Sequence, residues 1–467
     1  MSAAHRLSEA TAAGKWTVAL RCDLWKDAGV TSLRVLFVCS WLLGISAAEG
    51  QRISALAGRP DWTQLDAYQE TITRDEFARL LDRIYAPAGA AKGLVDVEAD
   101  AAVIKTTLTP PADFRLRFAK DAASAKPAPR YWRPARQLGP APAEQPLAGL
   151  KIALDPGHIG GSWAKMEERF FQVGESRPVT EGDLTLRVAQ MVAPKLRALG
   201  AEVLPVRDKL EPTTAACPET LHDAARAELA VLGVVAPRET YDGPNDPRRA
   251  TTVQAESELL FYRISEIRRR AELVNDMLRP DLIVCLHFNA EAWGDPLRPE
   301  FVPRNHLHVI VNGCYAASEL RYDDQRFEMV MKLLSRSYAE ELSASESVAA
   351  ALAAATKLPP YNYTTGNAIR PGASPYIWAR NLLANRLYRA PVVFLEPYVM
   401  NSEVVWERVQ AGDYEGEYLI AGEMRRSIFR EYADAVVEGL RDYYAKARAP
   451  KLESSAITPP PGHAVPK

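Results

Sequence analysis

Between residues 147 and 448 the apolar positions switch repeatedly between two periods, and that switching predicts the architecture. Residues 151–154, 201–206, 281–286 and 392–395 are short apolar runs of strand length. Between the first two, Leu184, Val188, Met191, Val192, Leu196 and Leu199 recur at helical spacing from Glu181 onward, and Gly200 follows where a left-handed residue ends a helix. Residues 256–278 read as a long amphipathic helix. Strands alternating with helices in this way imply an α/β fold: a twisted, mostly parallel or mixed sheet flanked by helices on both faces.

The flanking segments follow other patterns. Thr73 with Glu76 three residues on is a capping-box signature opening a helix through Tyr85, and residues 94–107 alternate as one or two strands would. Residues 49–120 are therefore expected to form a small α+β accessory module. Residues 121–146, rich in Ala, Pro, Lys and Arg, are expected as an extended linker, and residues 449–467 as a disordered Pro-rich tail. The apolar stretch 35–45 is preceded by Arg34 and followed by Ser46-Ala47-Ala48, and it falls short of the roughly 20 apolar residues a membrane helix needs. Residues 1–48 thus read as a cleaved signal peptide with a long n-region. The mature chain is expected to be exported, periplasmic or associated with the cell envelope, with no stable membrane span.

Charge and cysteine content narrow the function. With 57 basic against 59 acidic side chains over 467 residues, there is no electrostatic footprint for nucleic acid. Removal of the signal leaves Cys217, Cys285 and Cys314, an odd number without a framework pattern, so disulfides do not build the fold. Ser162, Ser176 and Ser318 lack a Gly-x-Ser-x-Gly setting, and no phosphate-binding glycine loop follows a strand.

Three of the apolar runs end in residues able to bind or serve a metal. The first leads into Asp155-Pro156-Gly157-His158, the second into His287-Phe288-Asn289, and the last into Glu396. Ligands of open α/β sheets bind beyond the carboxyl ends of the strands, so residues far apart in sequence can meet there. Glu181, one residue after Thr180, opens a helix, where the free N–H groups favour a carboxylate. Glu396 is costly to bury unless a metal, a proton shuttle or an ion pair accounts for it. His306 and His308 lie on one face of a strand, read here as half-exposed.

In order and placement these motifs resemble the zinc-dependent N-acetylmuramoyl-L-alanine amidases of the amidase 3 type. The segment from Asp155 to Gly161 is similar to that family's Asp-Pro-Gly-His-Gly-Gly, with Ile159 as the departure. Glu181-Gly182-Asp183-Leu184 resembles its metal-binding Glu motif, Arg207 its strand-end Arg, Arg270 and Asn275 its Arg and Asn. Cys285 to Ala290 resembles Ser-Ile-His-Ala-Asn-Ala, and Glu396 falls on its catalytic Glu, followed here by the unusual Pro397-Tyr398. The resemblance implies a Zn2+ ion held by His158, Glu181 and His287, Glu396 as the proton-transferring group, and Asp155 or Asn289 orienting a ligand histidine. It further implies peptidoglycan as substrate, cleavage of the amide between N-acetylmuramic acid and L-alanine, and an activator protein that moves an occluding helix, for which residues 326–341 are the candidate. Two alternatives are a catalytically silent peptidoglycan-binding protein on the same fold, and a zinc peptidase acting on another cell-wall amide.

Overall fold

The computed structural model describes residues 52–449; the signal-peptide segment 1–48 and nearly all of the tail expectation, 450–467, lie outside the described residues. The N-terminal module contains helix α1 (Arg74–Leu80), continued by a π-turn over Leu81–Tyr85, and strands β1 (Val95–Val97), β2 (Ala101–Leu108) and β3 (Pro111–Arg117) in the order β1-β2-β3. Thr73 caps α1, its Oγ1 accepting from Glu76 N at 3.3 Å, but the Glu76 carboxylate leaves the box and pairs with Arg336 at 2.6 Å. The third strand went unread because its side chains are mostly exposed and polar, which erases the period-two signal.

The main sheet joins β4 (Lys151–Pro156), β5 (Glu202–Pro205), β6 (Leu282–Leu286), β7 (Leu307–Val311), β8 (Ile377–Ala379) and β9 (Val392–Pro397) in the order β8-β7-β9-β6-β4-β5. Strands β9, β6, β4 and β5 run parallel, whereas β7 is antiparallel to β9. One face packs Leu154, Val284, Leu286, Val309 and Leu395 against helices α2 (Glu181–Ala198), α7 (Tyr338–Thr356) and α8 (Ile428–Ala447). The other packs Ala153, Ile283, Cys285, Ile310 and Phe394 against Ala271 and Val274. Those two residues belong to a helical run from Val253 to Leu278 composed of α4 (Val253–Leu259), α5 (Glu266–Glu272) and two π stretches, so the long helix read over 256–278 is interrupted twice by wider turns. Because β6 has apolar residues on both faces, it sits centrally, as buried parallel strands do.

Residues 121–146 carry a single short 3-10 turn at Ala135–Gln137 and are pinned to the sheet rather than suspended from it. Trp132 is buried, and Arg133 reaches Asp281, one residue before β6, at 2.6 Å. The stretch 212–247 contributes helix α3 (His222–Val231), which packs with Leu260 and Phe261 in a satellite core.

The expectation of a movable helix at 326–341 is corrected. This segment runs from within α6 (Asp323–Ser335), through a left-handed Arg336, into α7. Arg326 and Lys332 are fully buried, Lys332 pairs with Glu341 and donates to Tyr388 O at 2.9 Å, and Phe327 meets Trp62 of the N-terminal module edge-on at 5.2 Å. Swinging it outward would tear the buried Lys332 ammonium from the carbonyls of Tyr388 and Ala390 and Arg326 from the carbonyls of Leu320 and Lys105. It is a seam between module and sheet.

Candidate metal centre

Strand parity puts the chemistry on one face. Cys285 and Phe394 point to the same side of the sheet, so His287 and Glu396, each two residues further along, emerge on that side where β6 and β9 end. His287 N donates to Leu395 O at 3.1 Å, which keeps the two strand ends in step, and its ring stacks on Phe394 with centroids 4.5 Å apart. From the end of β4 comes His158, in the left-handed region at φ 59°, a strained state for a residue with a β-carbon and one that concentrates at functional sites. Arg270 holds that turn by donating to Asp155 Oδ1, Pro156 O and His158 O, each at 2.9 Å.

Glu181 is the first residue of α2 and is almost wholly buried. Its Oε2 lies 3.2 Å from His158 Nε2 and its Oε1 3.1 Å from His287 Nδ1, with Phe288 N also donating to Oε1 at 3.2 Å. One ligand atom from each of His158, Glu181 and His287 can be chosen so that all lie within 4.8 Å of one another, close enough to share a single ion. Close approach depends on glycine. A β-carbon on Gly157 would lie 2.1 Å from His287 Cε1, and one on Gly182 2.3 Å from Gly160 N.

Burial, opposed only in part by Glu181, drives the His158 pKa well below its ordinary 6.5, so the imidazole stands neutral with a lone pair to give. Burial pulls Glu181 upward, but the His287 hydrogen bond and the Arg169 guanidinium draw it the other way, and its pKa is lowered to about 2. Neutral imidazoles and an ionised carboxylate are the protonation states that zinc coordination uses, and two His with one Glu is a catalytic zinc donor set. Both shifts have the same consequence for metal-free protein. The unfolded chain takes up a proton at His158 from about pH 6.5 downward while the folded chain resists, and the contribution of Glu181 is present above 4.5 and lost as pH falls toward 2. Urea unfolding from about pH 8 to about pH 4 should show stability falling on acidification, with the upper part of the decline absent in His158→Gln; a flat profile would contradict the arrangement.

Asp155 and Asn289, expected to orient a ligand histidine, serve other partners. Asp155 accepts from Arg270 and from Tyr388 OH at 2.5 Å, and Asn289 Nδ2 lies 3.4 Å from His306 Nδ1. The carboxylate that faces His158 belongs instead to Glu167, 3.5 Å from Nδ1 and anchored by Ile159 N and Gly160 N. A protonated Nδ1 turned to Glu167 leaves the Nε2 lone pair toward the ligand set. Sequence reasoning passed over Glu167, because a lone acid in an irregular loop carries no periodic signal. Asn275 braces Tyr131, Leu387 and Arg389, and Tyr398 turns into the core to donate to Glu431 at 2.8 Å rather than lining a cleft wall.

Arg169 also converges here, its Nε 3.1 Å from Glu181 Oε2 and 3.3 Å from His158 Nε2. A guanidinium at that spot competes with a divalent cation for the same donor atoms. Arg169→Ala should bind zinc severalfold more tightly in a competition titration with a chromophoric chelator; weaker binding would mean that the arginine supports the ligands instead.

No protein-family model and no curated protein matches the chain. Solved structures similar to it include amidases. An N-acetylmuramyl-L-alanine amidase from Mycobacterium smegmatis is 16% identical with a TM-score of 0.32, over 64% of this chain and 99% of its own. The CwlD amidase from Clostridioides difficile, solved in complex with the GerS lipoprotein, is 11% identical with a TM-score of 0.33, over 64% and 100%. An N-acetylmuramoyl-L-alanine amidase of Nostoc punctiforme is 15% identical with a TM-score of 0.33, over 63% and 98%. At that level of similarity, the chemistry of this chain is read from its own side chains.

Proposed function

We propose that the protein is a zinc-dependent N-acetylmuramoyl-L-alanine amidase of the amidase 3 type, exported to the cell envelope and acting on peptidoglycan. The observation that carries this reading is the meeting of His158, Glu181 and His287 within ligand distance of one another, with Glu396 on the next strand end of the same face. The ordered motifs along the chain support it, and among the described residues no helix is long and apolar enough to cross a membrane.

Bound to those three residues, zinc would polarise the amide carbonyl and make a water acidic near neutral pH. His158 and His287 would contribute ring nitrogens, and Glu181 would balance part of the ion's charge from the start of α2. Glu396 has the proton work. Amide hydrolysis removes one proton from water and delivers one to the departing nitrogen, and a single carboxylate beside the ligand set can do both in turn. Phe394, under His287, keeps the floor of the site apolar, which strengthens each of these interactions.

One observation favours a second reading. Arg169 already gives Glu181 and His158 a cationic partner, as it would in a chain that binds peptidoglycan on this fold without turnover. Purified sacculi incubated with the zinc-loaded protein separate the readings. The amidase releases stem peptides beginning with L-alanine, and a chelator stops it. Fragments cut within the peptide would instead identify a peptidase, and binding without release would identify the silent form. Adding envelope extract to the same assay tests for an activator.

A further inference from the structure

Strand β7 sets His308 opposite Glu396, and both His308 and His306 are buried where a half-exposed strand was expected. The groups that grip the ligand-bearing backbone come from the other edge of the sheet. There β5 runs parallel to β4 with Pro205 level with Leu154. Arg207, two residues on, therefore stands level with Pro156, in the turn that carries His158. Residues 159–180, which connect His158 to Glu181, are mostly irregular, so the covalent chain does not fix the gap between these two ligands. Ties across the gap do. Arg207 Nη2 donates to Gly182 O at 3.1 Å and to Pro156 O at 3.4 Å, one nitrogen spanning the first turn of α2 and the His158 turn. Thr185 Oγ1 donates to Gly157 O at 2.7 Å, closer than the carbonyl of its own helix, Gly182 O, at 3.2 Å. Asp183 Oδ2 accepts from Gly161 N at 2.7 Å.

Arg207 is only 4% exposed. Asp155, Glu167 and Glu266 favour its charge through space, yet among the described residues every hydrogen bond it donates goes to a main-chain carbonyl, the third being Lys209 O at 2.7 Å. Its Nε is buried without a partner. Packing alone does not call for such a residue, because an apolar side chain would fill the space without the desolvation of a cation. What the guanidinium adds is a planar fork of donors at fixed spacing. Arg270 serves a different purpose: it donates to Pro156 O and His158 O within the one turn and pairs with Asp155 and Glu266. Arg207 is the arginine that reaches across to α2.

We propose that Arg207 is a positioning residue of the metal centre: with Thr185 it clasps the His158 turn to the start of α2, and so holds His158 Nε2 and Glu181 Oε2 at the 3.2 Å separation from which they share an ion. Binding constellations must be held to within about 0.5 Å, a tolerance that an irregular connection does not meet without cross-ties. The proposal rests on the amidase reading for there being an ion to share, and it does not depend on turnover.

The test is a zinc competition titration on the full chain, with the visible absorption of bound cobalt(II) reporting coordination geometry and urea unfolding measured alongside. Arg207→Met keeps an unbranched stem without the donors, and Thr185→Val keeps the branched shape without the hydroxyl. Each should weaken zinc binding about 10- to 100-fold, the usual effect of removing a group that orients a ligand, and each should shift the cobalt(II) absorption. Arg207→Lys retains a charged donor without the fork and should recover part of the loss. Arg448→Met is the control, since Arg448 is likewise buried and holds the carbonyls of Gly139, Pro146 and Ala148 at the end of α8. It should lower the unfolding midpoint and leave both metal readouts at wild-type values. Wild-type zinc affinity and cobalt(II) absorption in folded Arg207→Met would overturn the proposal and leave Arg207 a packing residue. An equal loss of affinity in Arg448→Met would also overturn it, by tracing the effect to general destabilisation. Should Arg207→Met fail to fold, wild-type affinity in both Arg207→Lys and Thr185→Val would do the same. A wild type that binds zinc but releases no stem peptides would sink the amidase reading while these titrations still decide the clasp; one that binds no zinc would overturn both.

Discussion

Replacing Glu396 by Gln should reduce the release of L-alanine-terminated stem peptides from sacculi by about three orders of magnitude, within the range a general acid–base group supplies, while zinc content and unfolding midpoint stay at wild-type values. Glutamine keeps the size and one acceptor oxygen of the side chain, so the packing of the end of β9 beside β6 is preserved. What is lost is the group that takes a proton from water and returns it to nitrogen. Glu396 is only 2% exposed on a strand otherwise apolar, a costly position for a carboxylate unless the protein uses it. A variant that keeps more than about a tenth of the wild-type rate would remove Glu396 from the chemistry.

Gly157→Ala should disable the site from the other side. Its added methyl would meet His287 at 2.1 Å from Cε1, 2.4 Å from Nδ1 and 2.5 Å from Nε2, and the ring is stacked on Phe394. The imidazole must move for the methyl to fit, which separates it from Glu181. Overpacking of this kind costs about 1–3 kcal/mol of stability, and zinc affinity should fall by roughly two orders of magnitude as a ligand is displaced. Calorimetric zinc titration with parallel urea unfolding measures both. Gly58→Ala, which meets nothing within 4 Å, is the control and should change neither. Unchanged zinc affinity in Gly157→Ala would mean that His287 does not share an ion with its two neighbours.

Much of this site was legible because its residues punctuate strong patterns. His287 and Glu396 each end an apolar strand, and Glu181 opens a helix whose apolar repeat is unambiguous. The residues that tune the site were not legible. Glu167 and Arg169 stand in an irregular stretch with no period, so nothing along the chain marks them as neighbours of His158 and Glu181. The helix suggested as a lid failed for a related reason. The resemblance implied a movable helix there, whereas Arg326, Lys332 and Glu341 find their partners inside.

By itself the sequence determined which segments are strands and helices of an α/β sheet and which strand ends carry metal-competent residues, since side-chain periodicity and local capping depend only on neighbours along the chain. Tertiary structure alone decided that β7 runs antiparallel to β9, which carboxylate faces His158, that residues 326–341 are core, and which histidine lies across the strand pair from Glu396. Strand order and register are set by packing among segments from about fifty to well over a hundred residues apart, and no local pattern encodes the partner across the gap.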